Sequence, residues 1–282
     1  MNEPDKILCA DGHLLDAKIF RANNEAKGTV IIASALGVHH RYYHRFAEFV
    51  SRNAHHAICF NYRGTGSSNN HNGNNAQPGL IEWGTKDLEA AIQLALSYKK
   101  PIYLVGHSIG GQLFPMAASA HDIQKAFVVA ASAPYWKRWK FPINLGLLFF
   151  SAIFLPIAAR LGKKFPNRIF GLGNLPTDSS LMREWARWML SPEYFLDEKF
   201  NPEAKARFKR FDNPVMALGF TDDKMAPEEN VRALMAFYAG ENKLTRIIDS
   251  GTELEEAIGH NGFFKAKFSK TLWPKALDFF ER

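Results

Sequence analysis

Residues 101–111 read PIYLVGHSIGG. An apolar, strand-forming run ends in a serine, Ser108, with Gly106 and Gly110 two positions away on either side. A serine at the tip of a tight strand-to-helix turn has a strained backbone, and side chains two residues away would collide with neighbouring elements. Such a turn lifts the hydroxyl above a sheet and presents backbone N–H groups to a developing oxyanion. A purely structural Gly-Ser turn is the competing reading. The strand pattern before Ser108 and the helical pattern after it, over Gly110 to Ala120, count against that alternative, although Pro115 should disturb the helix.

Outward from this turn the same alternation repeats. Apolar runs at Thr29 to Ala33, Ala57 to Tyr62, Pro101 to Val105 and Ala126 to Ala131 read as buried strands. Helical spacing falls between them, at Arg41 to Val50 and Asp87 to Tyr98, and the Asn/Gly-rich stretch from Asn69 to Gly79 reads as a surface loop. Strands alternating with helices predict an α/β fold with a mostly parallel central sheet covered on both faces. From Tyr135 to Phe211 the alternation stops, leaving aromatic and basic helices with no convincing strand. It resumes with a strand at Pro214 to Phe220, a helix at Pro227 to Tyr238, a short strand near Arg246 to Asp249 and a helix from Lys270. The expected organisation is a core of residues 1–134 and 212–282 carrying an inserted helical cap, residues 135–211.

Composition narrows the function. A chain of 282 residues that is 46% hydrophobic and 22% charged is neither disordered, collagen-like nor a polytopic membrane protein. Two cysteines, Cys9 and Cys59, are too few for a disulfide framework or a zinc-thiolate site. No H-E-x-x-H or grouped ligand set appears, so neither a metal nor another cofactor is expected. The net charge of +7 is concentrated in the cap, where residues 135–211 hold 14 Lys/Arg against 6 Asp/Glu and four of the six tryptophans. No nucleic-acid-binding signature accompanies that excess, so nucleic acid is not the expected partner. The N-terminal stretch MNEPDKILCADGHLLDAKIF lacks a basic segment followed by an apolar one, which points to a cytoplasmic protein.

The chain resembles the α/β-hydrolase family over nearly its whole length, and most of all its bacterial lipase, esterase and serine-aminopeptidase-like branch with a helical cap. Beyond the serine turn, Asn61 to Ser68 (NYRGTGSS) is similar to the family's D-x-R-G-x-G-x-S turn, with Asn61 where aspartate is usual. The resemblance implies a nucleophilic serine, then an acid, then a histidine in chain order. Ser108 takes the first role. The turn Ile258-Gly259-His260-Asn261-Gly262 matches the family's Gly-His turn and implies His260 as the base, whose ordinary pKa near 6.5 suits proton exchange at neutral pH. The other nine histidines lack that context. The neighbours His39 and His40, like His55 and His56, should point in different directions and ligate metal poorly, and His107 occupies a variable position beside the nucleophile.

The family's acid lies between Pro214 and Pro227, in PVMALGFTDDKMAP. Counting from the proline opening the strand, and back from the proline opening the next helix, gives Asp223. Counting from Gly219 gives Asp222. Two registers favour Asp223, leaving Asp222 a loop or capping carboxylate. The resemblance also implies an oxyanion hole made by the N–H of Ile109 and one from Ser34-Ala35-Leu36-Gly37-Val38. Leu36 fits best and Ala35 next, although Ser34-Ala35 replaces the family's frequent His-Gly.

In the cap, Phe141 to Ala159 is nineteen residues without a charge, between basic flanks. Pro142, Gly146 and Pro156 interrupt it, and both of its ends must return to adjacent strands, so a membrane crossing is not expected. An apolar lid lining an acyl site is, with plain packing of the cap as its rival. The basic, tryptophan-bearing flanks would suit peripheral contact with an anionic membrane. The expected function is a serine hydrolase cleaving small-molecule or lipid esters with apolar acyl groups. Thioester or N-terminal peptide hydrolysis on the same residues is the enzymatic alternative. A hydrolase-fold binding protein is the non-enzymatic one, disfavoured because every catalytic position is filled.

Overall fold

The computed structural model of the protein describes residues 5–66, 68 and 77–282. The Asn-rich stretch expected as a loop lies outside the described residues up to residue 76, as does Ser67 of the turn after the fourth strand. Eight strands form one sheet: β1 (Asp5–Leu8), β2 (Leu14–Phe20), β3 (Gly28–Ala33), β4 (His55–Phe60), β5 (Ile102–His107), β6 (Ile123–Val129), β7 (Val215–Phe220) and β8 (Lys243–Ile248). Their spatial order is β1-β2-β4-β3-β5-β6-β7-β8. From β4 to β8 all neighbours are parallel, and β1 and β2 join that block antiparallel. The antiparallel pair is absent from the sequence reading. Its first strand has four residues and one buried side chain, too short a pattern to register as periodicity.

Burial explains which runs become inner strands. Every residue of β3 is buried, as are the last four of β4, β5, β6 and β7, because helices cover both faces. On one face lie α1 (His44–Arg52) and the C-terminal α9 (Pro274–Glu281), packed through Phe46, Val50, Trp273 and Phe280. On the other lie α2 (Glu89–Leu96), α3 (Ile109–Leu113) and α8 (Glu228–Met235). The helix after Ser108 ends at Leu113, and Phe114–Met116 forms a tighter turn where Pro115 interrupts it.

The cap leaves the sheet after β6 and returns at β7. It contains α4 (Ile143–Phe149), α5 (Leu155–Ala158), α6 (Ser179–Trp188) and α7 (Ala204–Arg210). A wide π-type turn, Phe150–Phe154, joins α4 to α5. Contrary to the strand-free reading, Lys164–Phe165 pairs antiparallel with Thr177–Asp178, and Thr177 also bridges to Thr65 of the core. Two-residue strands carry no periodic signal; core contacts impose them. Further bonds seat the cap: Tyr194 Oη donates to Gln112 Oε1 at 3.1 Å, and an Arg207 guanidinium nitrogen donates to the Met116 carbonyl at 2.8 Å. None of the helices is long and apolar enough, among the described residues, to cross a membrane.

Candidate active site

The parallel strands deliver their loops to one edge of the sheet, and the predicted site residues lie there: Leu36 after β3, Ser108 after β5, Asp223 after β7 and His260 after β8. A crevice beyond the carboxyl ends of parallel strands is where open α/β sheets bind ligands. Ser108 has φ +52° and ψ −119°, a conformation costing on the order of 1–3 kcal/mol that the surroundings must enforce. The enforcement is visible in the glycines. A Cβ on Gly106 would lie 2.5 Å from the Gly111 Cα, and one on Gly110 only 2.3 Å from the Ala33 carbonyl oxygen.

Ser108 Oγ lies 3.0 Å from His260 Nε2, across 152 residues of sequence. On the far side of the ring, Nδ1 is 2.8 Å from Asp223 Oδ2. The Asp223 carboxylate is buried, and its other oxygen accepts the N–H groups of Met225 (2.9 Å) and Ala226 (3.0 Å). Asp222 points elsewhere: its Oδ2 accepts the N–H groups of Ile258 and Gly259, at 2.8 and 2.9 Å. The two neighbouring aspartates thus divide the work, one touching the imidazole and the other fixing the turn that carries it.

Two tyrosines and His107 complete that turn, and sequence reasoning gave none of them this part. Tyr42 Oη donates to the Asn261 carbonyl. His107 Nε2 lies 2.9 Å from the His260 carbonyl, which can only accept, so that nitrogen carries the proton. His107 Nδ1 therefore accepts from Tyr43 Oη at 2.8 Å, and Tyr43 in turn accepts the Ala35 N–H at 2.9 Å. Burial holds the His107 pKa down at about 3, with His260 beside it acting in the same sense. No spacing signal could have exposed this chain, since Tyr43 and His107 are 64 residues apart.

The same bond bears on the loop expected to supply an oxyanion donor. The Ala35 N–H is held by Tyr43, whereas Leu36, like Ile109, borders the same small cavity as Ser108. The cap presses on that loop from outside, with the Leu175 N–H donating to the Gly37 carbonyl at 2.8 Å. Asn61 serves it from below, accepting the His40 N–H at 2.8 Å while donating to Asp16 Oδ2 at 3.1 Å. An aspartate could not donate and would set two carboxylates together, a physical reason for the departure from the family's turn.

His39 and His40 correct an expectation. Rather than diverging, their rings lie 4.5 Å apart and both turn toward Asp16 Oδ2, with Nε2 of His40 at 3.3 Å and of His39 at 3.9 Å. These are the residues that could gather around a metal ion. The fit is poor, since His39 Nδ1 already accepts the Arg41 N–H and the Asn61 amide donates into the centre of the group.

Two cavities open at this edge, and the first borders the serine. One of about 50 Å³ is bordered by Leu36, Ser108, Ile109 and His260. The second, about 500 Å³, lies under the cap between Trp139, Ile143, Leu147, Phe150, Met189 and Lys224. Pro134, Leu172, Trp185 and Met225 border both, so the larger apolar space is next to the small one that holds Ser108.

Residues 30–263 match the sequence model of the alpha/beta hydrolase family. The chain belongs to that family. No curated protein sequence matches this hydrolase. Among solved structures, it resembles a soluble variant of monoglyceride lipase from Saccharomyces cerevisiae in complex with a substrate analog. That likeness has a TM-score of 0.70 at 15% identity and covers 99% of this chain and 95% of the other. The monoacylglycerol lipase of Paleococcus ferrophilus gives 0.60 at 14% identity, over 94% and 97% of the two chains. An esterase from Exiguobacterium antarcticum gives 0.61 at 13% identity, over 99% and 100%. At these identities the likeness is one of fold, and it agrees with the sheet described above.

Proposed function

We propose that this hydrolase is a serine carboxylesterase of the lipase type, cleaving esters with apolar acyl groups through an acyl-enzyme. The observation that carries the reading is the linear contact Ser108 Oγ, His260 imidazole, buried Asp223 beneath an apolar cavity. Ser108 Oγ attacks the ester carbonyl while His260 Nε2 takes its proton. The resulting oxyanion is received by the N–H groups of Leu36 and Ile109. His260 then protonates the leaving alkoxide as the C–O bond breaks, leaving the acyl group on Ser108. Water, deprotonated by the same nitrogen, attacks the acyl-enzyme and releases the carboxylic acid and free serine. Asp223 keeps Nδ1 protonated and stabilises the imidazolium in both halves of the cycle.

The apolar cavity favours an acyl chain over a peptide, because a peptide's backbone groups would meet few partners among Ile143, Leu147, Phe150 and Met189. Thioesters of the same acids remain chemically open to these residues. The test is a p-nitrophenyl ester assay beside labelling by a fluorophosphonate probe. The parent should release p-nitrophenol and take the label on Ser108, and Ser108→Ala should do neither while keeping its thermal transition. A Ser108→Ala rate within about tenfold of the parent, against the roughly 10⁶-fold loss known for serine nucleophiles, would overturn the mechanism.

A further inference from the structure

One face of the cap is apolar where it meets water. Phe141, Leu145, Phe149, Ile153, Ile157 and Leu161 recur at every fourth residue and are between 47% and 85% exposed. In a straight α-helix positions four apart advance by about 40°, so such a row would wind around the rod. The wide turn at Phe150–Phe154 takes in extra chain and offsets that drift for Leu145, Phe149, Ile153 and Ile157, while Phe141 and Leu161 lie in the turns at the two ends. The opposite side is already used: Ser151, Leu155 and Ala159 are buried, and Leu147 and Phe150 border the large cavity. The row is therefore surplus to the packing of the cap. Single exposed apolar residues are ordinary, but a ridge built from four such positions of one helical segment, with a fifth and sixth at its ends, marks an interaction surface.

We propose that this ridge seats the hydrolase on an anionic lipid bilayer. The charge around the ridge selects the occupant. Between residues 135 and 177 there are seven Lys/Arg and no Asp/Glu. Lys137 and Lys140 flank one end of the row, Arg160 and Lys163 the other, and all four are exposed. A second copy of the chain docked ridge to ridge would bring these basic rims together and be repelled. An anionic bilayer offers both what the ridge lacks, acyl chains, and what the rim attracts, negative headgroups. With no helix among the described residues long and apolar enough to span, the cap helix lies in the interface rather than crossing it. Its outer ridge would sit in lipid while its inner face lines the cavity beside Ser108, a short path for a lipid ester leaving the bilayer. This inference deepens the esterase reading and takes its substrate class from it.

The experiment is co-sedimentation of Ser108→Ala protein with vesicles of phosphatidylcholine alone or mixed with phosphatidylglycerol, so that binding is read without turnover. The protein should bind the anionic vesicles, release as salt is raised, and bind neutral vesicles weakly. Leu145→Glu/Ile153→Glu should weaken binding by at least about tenfold, because two carboxylates would have to enter the interface. The same double substitution in the Ser108 enzyme should leave hydrolysis of a soluble short-chain ester at the parent rate, since neither residue borders the two cavities at the site. If the double variant does not fold, Phe149→Gln replaces it with the same expectation in lesser degree. No vesicle binding, equal binding to neutral vesicles, or binding indifferent to these substitutions overturns the proposal. So does a dimer in solution that the double variant dissolves without any vesicle binding. An active parent that ignores vesicles refutes the docking alone, whereas a vesicle-bound parent without esterase activity refutes the catalytic reading alone.

Discussion

The Tyr43 hydroxyl donates to His107 Nδ1 at 2.8 Å, deep beneath the serine and bordering neither of the two cavities. Through it the loop that carries Leu36 and the turn that carries His260 are tied to one buried hydroxyl, since Tyr43 also accepts the Ala35 N–H and His107 donates to the His260 carbonyl. Tyr43→Phe strands a buried N–H and a buried ring nitrogen while keeping the ring's packing. Unfolding in urea should show a loss of about 1–3 kcal/mol, the cost of unpartnered buried groups. An unchanged midpoint would mean that water or a rearranged His107 replaces the hydroxyl.

His107 also makes stability depend on pH. Burial depresses its pKa from the ordinary value of 6.5 to about 3. The folded protein keeps this ring neutral, so its contribution is complete above pH 6.5 and is lost as pH falls from there toward 3. Burial likewise lowers the pKa of His44, to about 4, so the two act in the same sense. Stability should fall between pH 7 and pH 5, by at most about 1.4 kcal/mol per pH unit for each such ring. His107→Gln should flatten that slope by one proton's share. A slope identical to the parent's would show that His107 is protonated in the folded state.

The adjacent aspartates should differ sharply in kinetics. Asp223→Asn should lower kcat by on the order of 10⁴, because an amide cannot hold the imidazole in the required tautomer. Asp222→Asn should cost less than about tenfold, since an amide oxygen can still accept the Ile258 and Gly259 N–H groups. Steady-state kinetics on a soluble ester decide between them, and the reverse ranking would move the acid to Asp222.

The cavity beneath the cap predicts a chain-length series. Each buried methylene contributes up to about 0.8 kcal/mol, so kcat/KM for p-nitrophenyl esters should rise up to about fourfold per CH₂ until the space is full. Phe150→Asp should flatten the rise, because Phe150 borders the cavity and its replacement places a carboxylate beside the chain. Leu148→Asp should flatten it far less, since Leu148 is not among the residues bordering that space. Activity falling steadily from acetate onward, with both variants like the parent, would make the cap a gate for small substrates.

What the sequence determined by itself was local. Gly106, Ser108 and Gly110 impose their turn through contacts within a few residues, Pro115 stops a helix by its own geometry, and buried parallel strands announce themselves as continuous apolar runs. Each of these is a short-range steric or hydrophobic constraint, so each survives reading along the chain. Two counts along the chain pointed to Asp223 and one to Asp222; the folded turn sets Asp223 against His260 Nδ1 and Asp222 against the Ile258 and Gly259 N–H groups. Tertiary structure alone joined Tyr43 to His107 and turned His39 and His40 together onto Asp16. And it alone divided the apolar run from Phe141 to Ala159 between a cavity and the solvent. Hydrophobicity says that a side chain avoids water; only the packing of the whole chain says which surfaces are left to cover it.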